Sequence, residues 1–243
     1  TLGLPCCSVG ASVVSVYGAR LALRDTLLLT ISQSGKSPDI LAFQAEAKRA
    51  RIPTLAVTNT EDSPLARDAD LCLPLCAGPE KSVAATKTFI ASAAMAAALV
   101  AACGGDARFA KAVERLPEDL HKALAISWTE MEDAFTVASS AYVLGRGPSL
   151  PMAQEAALKL KETSGLHAEA YSAAEVIHGP MELVGPGFPV VVLAPEDKAL
   201  ATTRDTAKRL AEAGAHVTTP DFARTSDPLL DPISMIQSFY GSA

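Results

Sequence analysis

The sequence predicts an α/β protein in which one plan, a parallel sheet between helices, is written twice. Short apolar runs bounded by turn residues recur at LLLTIS, IPTLAVTN, LCLPLC, YVL and FPVVVLAP, the pattern of strands buried on both faces. Segments of helical period alternate with them, which implies parallel pairing with helices on the faces. A long helical stretch then divides the first cycle from the second. The 243 residues would fill one large domain or two small ones.

The first strand begins at Leu27 and feeds a hydroxyl-rich turn, QSGKS, before a helix over 37–51. Ser37 stands at its N-cap, with Pro38 in the first turn and Asp39 beside it. IPTLAVTN is a second strand, SPLARDAD a short helical turn and LCLPLC a third strand. Helices are expected over 82–103, 106–116 and 117–132. In the last of these Leu120, Leu124, Trp128 and Met131 recur at threes and fours, as an amphipathic helix requires, so Trp128 reads as core. The second cycle opens with a strand over 141–144, turns through Gly145, Arg146 and Gly147, and continues as a helix over 151–163. After HAEAYSAAEVIHGPMELV come the strand FPVVVLAP, a helix over 198–212 and a strand in AGAHVTTP. The domain boundary is set at 116/117, with residues 1–116 holding the first module and its helical connector and 117–243 the second. TLGLPCCSVG contains no unit like the strand and turn around GRG, so the first module is expected to lack its opening strand and to leave an apolar sheet edge. MIQSFYGSA starts an apolar helix and stops abruptly.

Composition narrows the functions. The chain is 49% hydrophobic and 20% charged, with a net charge of -6. It has no basic face for nucleic acid, although a local pocket for an anionic metabolite is untouched by that argument. Cys6, Cys7, Cys72, Cys76 and Cys103 are odd in number and lack paired metal spacing, which argues against both a disulfide framework and a zinc knuckle. Cys72 and Cys76, in an apolar run, read as small buried hydrophobes. The low-charge run over 88–105 is mostly alanine and reads as a buried helix rather than a membrane span. With no signal-peptide ordering at the start, a cytoplasmic protein with small partners, no nucleic acid and no membrane is expected.

Two stretches carry chemistry. In ISQSGKSPD, Ser32, Ser34 and Ser37 lie within six positions around Gly35, and a helix starts just after. Hydroxyls, free backbone amides and a positive helix end converge there, which suits a phosphate; the alternative is an ordinary serine-capped helix start. Neither Gly-x-x-x-x-Gly-Lys nor Gly-x-Gly-x-x-Gly occurs, so no nucleotide and no cofactor is expected. In PMAQEAALKLKETSG, Glu155, Lys159 and Glu162 fall at i, i+4 and i+7 on one helix face. On a plain surface helix this is a solvated charge stripe. Following the GRG turn, it is expected to bring Glu162 and His167 near the strand ends, where open α/β sheets place ligands. A carboxylate there can take a proton from beside a carbonyl, and a histidine can shuttle one to a sugar ring oxygen, so the residues suit enolisation of a phosphorylated sugar. His167, Glu169, Glu175 and His178 match no compact zinc spacing, and no metal is expected.

ISQSGKSPD, AGPEKSVAATKTF, GRGPSLPMAQEAALKLKETSGLHAEAYSAAEVIHGP and the late SFY closely resemble the sugar isomerase (SIS) family, in particular the isomerase part of glutamine–fructose-6-phosphate aminotransferase and its AgaS-like deaminase relatives. The resemblance spans nearly the whole chain. It implies two SIS domains, each a flavodoxin-like three-layer sandwich, that bind a sugar 6-phosphate at the carboxyl ends of strands. By that resemblance Ser32, Gln33, Ser34 and Ser37 hold the phosphate, and Glu162 is the base between C1 and C2. Lys159 matches a Schiff-base lysine steadied by Glu155. His178 opens and closes the sugar ring in the neighbouring subunit of a homodimer. Ala85, Gly145, Arg146 and Gly147 are further candidates for the sugar shell.

The sequence also departs from the family's pattern. The first domain lacks the family's opening strand with its glycine–hydroxyl loop. Ala85 stands where the aminotransferase usually has a serine. The chain stops before the family's C-terminal tail, whose lysine covers the substrate. No glutaminase cysteine begins the chain, which starts at Thr1; Cys6 and Cys7 do not qualify. The expected activity is therefore deamination and isomerisation of glucosamine 6-phosphate to fructose 6-phosphate and ammonia. The alternatives are an aldose–ketose isomerase or aminotransferase of another phosphosugar, a non-catalytic sugar-phosphate sensor, and an inert relative. A sensor is expected to have lost the base, yet Glu162, Lys159 and His178 are all present.

Overall fold

The computed structural model describes residues 2–82 and 84–242. Thr1, and Val83 within the AGPEKSVAATKTF stretch, lie outside the described residues. The chain divides into two compact units, Thr1–Gly104 and Gly105–Ala243.

In the first unit a short α1 (Ser12–Ser15) precedes β1 (Leu28–Ser32), α2 (Pro38–Arg49), β2 (Thr54–Thr58), α3 (Pro64–Asp68), β3 (Leu71–Pro74) and α4 (Lys87–Gly104). The strands pair in parallel in the order β1-β2-β3, with Leu28 opposite Thr54 and Leu55 opposite Leu71. Flanked on both sides, β2 is buried at every position. β1 lies at the sheet edge, and its Leu29 and Ile31 are 41% and 43% exposed. Pro38 sits in the first turn of α2, where its missing N–H costs nothing. The alanine-rich α4 is capped by Glu80, which accepts from the Thr88 amide and hydroxyl at 3.0 and 3.1 Å. Its Thr88 and Ile90 are buried, and most of its alanines are half-buried. Cys72 is half-buried, and burial raises its thiol pKa. Cys76 departs from expectation: just past β3 it takes a φ of 53° and is exposed, because the chain turns outward there.

One carboxylate ties the segment ahead of β1 to the helix behind it. Glu46 on α2, 6% exposed, accepts from the Leu21 amide at 3.0 Å, from Arg20 at 3.1 Å and from two Arg49 nitrogens at 2.7 and 2.6 Å. The Arg49 guanidinium, followed by the Leu21 amide, lowers its pKa from 4.5 to about 2.

The second unit contains α5 (Ala107–Ala123), α6 (Thr129–Thr136), β4 (Ser140–Gly145), α7 (Leu150–Ser164), β5 (His167–Ser172), β6 (Pro189–Val192), α8 (Leu200–Glu212), β7 (His216–Thr218) and α9 (Asp231–Phe239). All four strands are parallel, in the order β5-β4-β6-β7. The chain leaves β4 through α7 for the β5 side and leaves β6 through α8 for the β7 side. The direction of winding therefore reverses between β4 and β6. Tyr142, Leu144, Val190, Val192 and Leu210 pack into one core with Val176 and Ala194.

Pro117 was expected to open a new helix, but α5 runs through it without a break. An internal proline costs about 3 kcal/mol. Against this, Ala112, Leu116, Asp119 and Ala123 form one continuous buried stripe across it, and α5 packs on α9. The periodic run Leu120–Leu124–Trp128–Met131 is consequently split: Leu124 caps α5 and is 64% exposed. Trp128 and Met131 are buried at the start of α6, with the Trp128 ring 5.5 Å from that of Phe239, edge to face.

Glu46 provides a test of the first unit. Its folded-state pKa is depressed, so it contributes stability that is fully present above about 4.5 and is lost as pH falls toward 2. Glu46→Gln is expected to lower the urea midpoint at pH 7, and its gap from the native protein should close as pH falls from 4.5 to 2. A gap independent of pH would show that the carboxylate charge is not what matters.

Candidate functional site

The serine turn of the first unit is shaped by packing. Gly35 has a φ of 60°, and a Cβ there would lie 2.2 Å from Ser63 Oγ and 2.6 Å from Ser63 Cβ, so only glycine fits. Its carbonyl accepts from the Leu65 amide at 3.2 Å, and the Gln33 carbonyl accepts from the Asn59 amide at 3.2 Å. Within the turn, Ser32 Oγ accepts from the Gly35 amide at 3.1 Å and Ser34 Oγ from the Lys36 amide at 3.4 Å. Ser37 occupies the N-cap of α2 but makes no side-chain capping bond. Its hydroxyl therefore does not do the work of an ordinary cap, while the first turn of α2 still presents amides without intrahelical partners. Gln33 is exposed.

The charged face of α7 is largely interior. Glu155 and Lys159 are 7% and 4% exposed. Lys159 Nζ lies 3.4 Å from Glu155 Oε1 and 2.6 Å from Glu162 Oε2, and 32% of the Glu162 side chain is exposed. Glu155 also accepts from Tyr240 Oη at 2.7 Å. A chain of contacts thus runs Tyr240, Glu155, Lys159, Glu162, from the end of α9 to the surface. Tyr240 was not singled out by sequence reasoning beyond its place in SFY; 85 residues separate it from Glu155, so no local pattern signals the pairing.

The GRG turn is not brought to this cluster. Gly145 ends β4, and Glu162 lies in the last turn of α7, about 18 Å further along the helix at 1.5 Å per residue. A Cβ on Gly145 would meet Ser149 O at 2.4 Å, while Arg146 is half-buried and Gly147 exposed. His167, expected near the carboxyl ends of the strands, instead begins β5, exposed and 4.0 Å from Glu169. Glu169 accepts from the Tyr171 hydroxyl, a bond that pushes the tyrosine pKa up to about 12. His178 lies exposed in the turn after β5, its amide bonded to the Glu175 carbonyl, and Glu175 is exposed as well. Ala85 is half-buried just ahead of α4. Among the described residues no group of three or more His, Cys, Asp or Glu side chains is placed to hold a metal.

With this geometry in place, the comparisons assign the chain. The SIS domain profile matches residues 3–102 and 134–219, and the chain belongs to the SIS family. Glutamine–fructose-6-phosphate aminotransferase [isomerizing] of Haemophilus influenzae is 37% identical over 206 residues, covering 79% of this chain but 34% of its own length. The chain therefore spans only about a third of that curated relative. Among solved structures, a candidate phosphosugar isomerase from Silicibacter pomeroyi DSS-3 superposes with a TM-score of 0.93 at 44% identity, covering 99% of this chain and 77% of that one. The C-terminal domain of glucosamine-fructose-6-phosphate aminotransferase from Francisella tularensis gives 0.83 at 28%, covering 98% and 76%. Glucosamine-6-phosphate deaminase from Thermotoga maritima shares the fold, with a TM-score of 0.75 at 23% identity, covering 96% and 74%. By length and composition α4 could cross a membrane, but nearly all of it falls inside the first SIS match, as a helix of that fold.

Tyr240→Phe tests the buried chain without any substrate. Removing the donor leaves the buried Glu155 carboxylate short of a partner and is expected to cost about 1–3 kcal/mol, read as a lower urea midpoint with unchanged slope. No loss would show that Lys159 alone satisfies Glu155.

Proposed function

We propose that the protein is a phosphosugar isomerase acting on a hexosamine 6-phosphate, and that it converts glucosamine 6-phosphate and water to fructose 6-phosphate and ammonia. The family, the 44% identical phosphosugar isomerase candidate and the aminotransferase relatives support the substrate class. The observation that carries the reading is the chain Tyr240–Glu155–Lys159–Glu162, buried at Glu155 and Lys159 and opening to solvent at Glu162. A solvated charge stripe has no reason to bury a lysine between two carboxylates. A base that must be held in one orientation does.

In this mechanism Glu162 takes the proton from C2 of the open-chain aldehyde and delivers it to C1. The product is the ketose imine, which water hydrolyses to the ketone, releasing ammonia. Lys159 is engaged by two carboxylates and holds Glu162 in place; the Schiff-base role suggested by the resemblance would require it to leave both. Ser32, Gln33, Ser34 and Ser37 bind the phosphate, supported by the Ser37 hydroxyl that caps nothing. In a homodimer the partner subunit's His178 opens and closes the sugar ring, a role consistent with the exposure of this residue.

Glu162→Gln is expected to reduce ammonia release from glucosamine 6-phosphate by about 10²–10⁴-fold with sugar-phosphate affinity nearly unchanged; equal turnover would remove Glu162 as base. Ser37→Ala is expected to weaken binding of the same sugar phosphate about tenfold or more and to leave thermal stability unaltered. Lost stability with intact affinity would return the turn to helix capping. Saturable binding without turnover in the native protein would favour the sensor reading.

A further inference from the structure

The GRG turn does not serve the acid–base cluster on α7, and its surroundings form a cavity of their own. We infer that the second unit carries a separate binding site for a small phosphate ester, in the cavity of about 400 Å³ that Arg146, Ile177, Thr202, Asp205 and Arg209 help to line. The cavity lies where winding reverses, between the chain leaving β4 for α7 and the chain leaving β6 for α8. In open parallel sheets that crevice is where loops separate and ligands enter.

The frame around the cavity is fixed. Ser149 Oγ accepts from the Arg146 amide at 2.9 Å and reaches the Leu193 carbonyl at 3.2 Å, tying the turn to the end of β6. Thr206 Oγ1 donates to the Ala173 carbonyl at 2.8 Å, tying α8 to the loop after β5. Gly145 allows no side chain against Ser149. Thr202, Asp205 and Arg209 stand at i, i+3 and i+7 on one face of α8.

What marks Arg146 and Arg209 is that both face one cavity with their guanidiniums uncommitted, whereas Arg20 and Arg49 are engaged by Glu46 and Arg224 by Glu196. Among the described residues neither Arg146 nor Arg209 pairs with a carboxylate, and both line the cavity. Two unpaired guanidiniums at one concave wall match a phosphate, which accepts their forked donors. Asp205 and Thr202 offer an acceptor and a hydroxyl for the alcohol part of an ester, and the volume admits a hexose-sized one.

The test is titration of the full chain with inorganic phosphate and with glucosamine 6-phosphate, by calorimetry and by amide chemical shifts, for the native protein, Arg209→Ala, Arg209→Lys and Ser34→Ala. Arg209 is exposed, so its loss should leave folding intact, which a thermal melt checks. The expected result is sugar-phosphate binding that shifts the amides of Arg146, Thr202 and Arg209, weakens about tenfold or more in Arg209→Ala, recovers in part in Arg209→Lys and persists in Ser34→Ala. Shifts confined to residues 32–37, or binding indifferent to Arg209→Ala, would overturn the site. Inorganic phosphate bound as tightly as the ester would overturn the ester as its ligand. Arg209-dependent binding with a silent serine turn would uphold this site while removing the phosphate cradle proposed above.

Discussion

Lys159 is the constraint around which the second unit is arranged. An ammonium taken out of water costs several kcal/mol unless it is paired and hydrogen-bonded, and Lys159 is 4% exposed. Glu155 and Glu162 meet that demand from the same helix, one turn to either side. Glu155 is itself buried and needs a further donor, so Tyr240 must be held in place by α9. α9 in turn is packed on α5 and α7 and locked by Phe239 against Trp128. One buried charge thus fixes the relation of three helices and leaves Glu162 open to solvent.

Much of the fold was legible because its signals are local. Proline marked the starts of α2, α3 and α7 at Pro38, Pro64 and Pro151, and continuous apolar runs marked β2, β4 and β6, the strands with neighbours on both sides. Where tertiary packing overrode local preference the reading failed. Pro117 should break a helix, yet the buried stripe through Leu116 and Asp119 carries α5 across it. Leu124 fits the helical period but falls at a helix end and faces water.

The candidate site was legible by residue type and much less by position. The spacing of Glu155, Lys159 and Glu162 placed them on one face, and the structure joins them. Their distance from the GRG turn was missed, because adjacency in sequence was taken for adjacency in space although α7 carries Glu162 away. Gly35 was read as a turn glycine. What sequence could not show is that Ser63 and Leu65 fill the space its side chain would need, since they belong to the next strand–helix link.

The contacts that close the second unit come from the end of its stretch of chain. Tyr240 meets Glu155 across 85 residues, and Ser242 accepts from the Trp128 amide across 114. During synthesis β4 to β7 can be complete while Lys159 and Glu155 still lack their last partner. A translating ribosome that has not yet released residues 239–242 therefore holds a sheet with an unlatched, charged interior. The unit acquires its finished arrangement only after residues 239–242 have left the ribosome and folded back onto α7 and the start of α6.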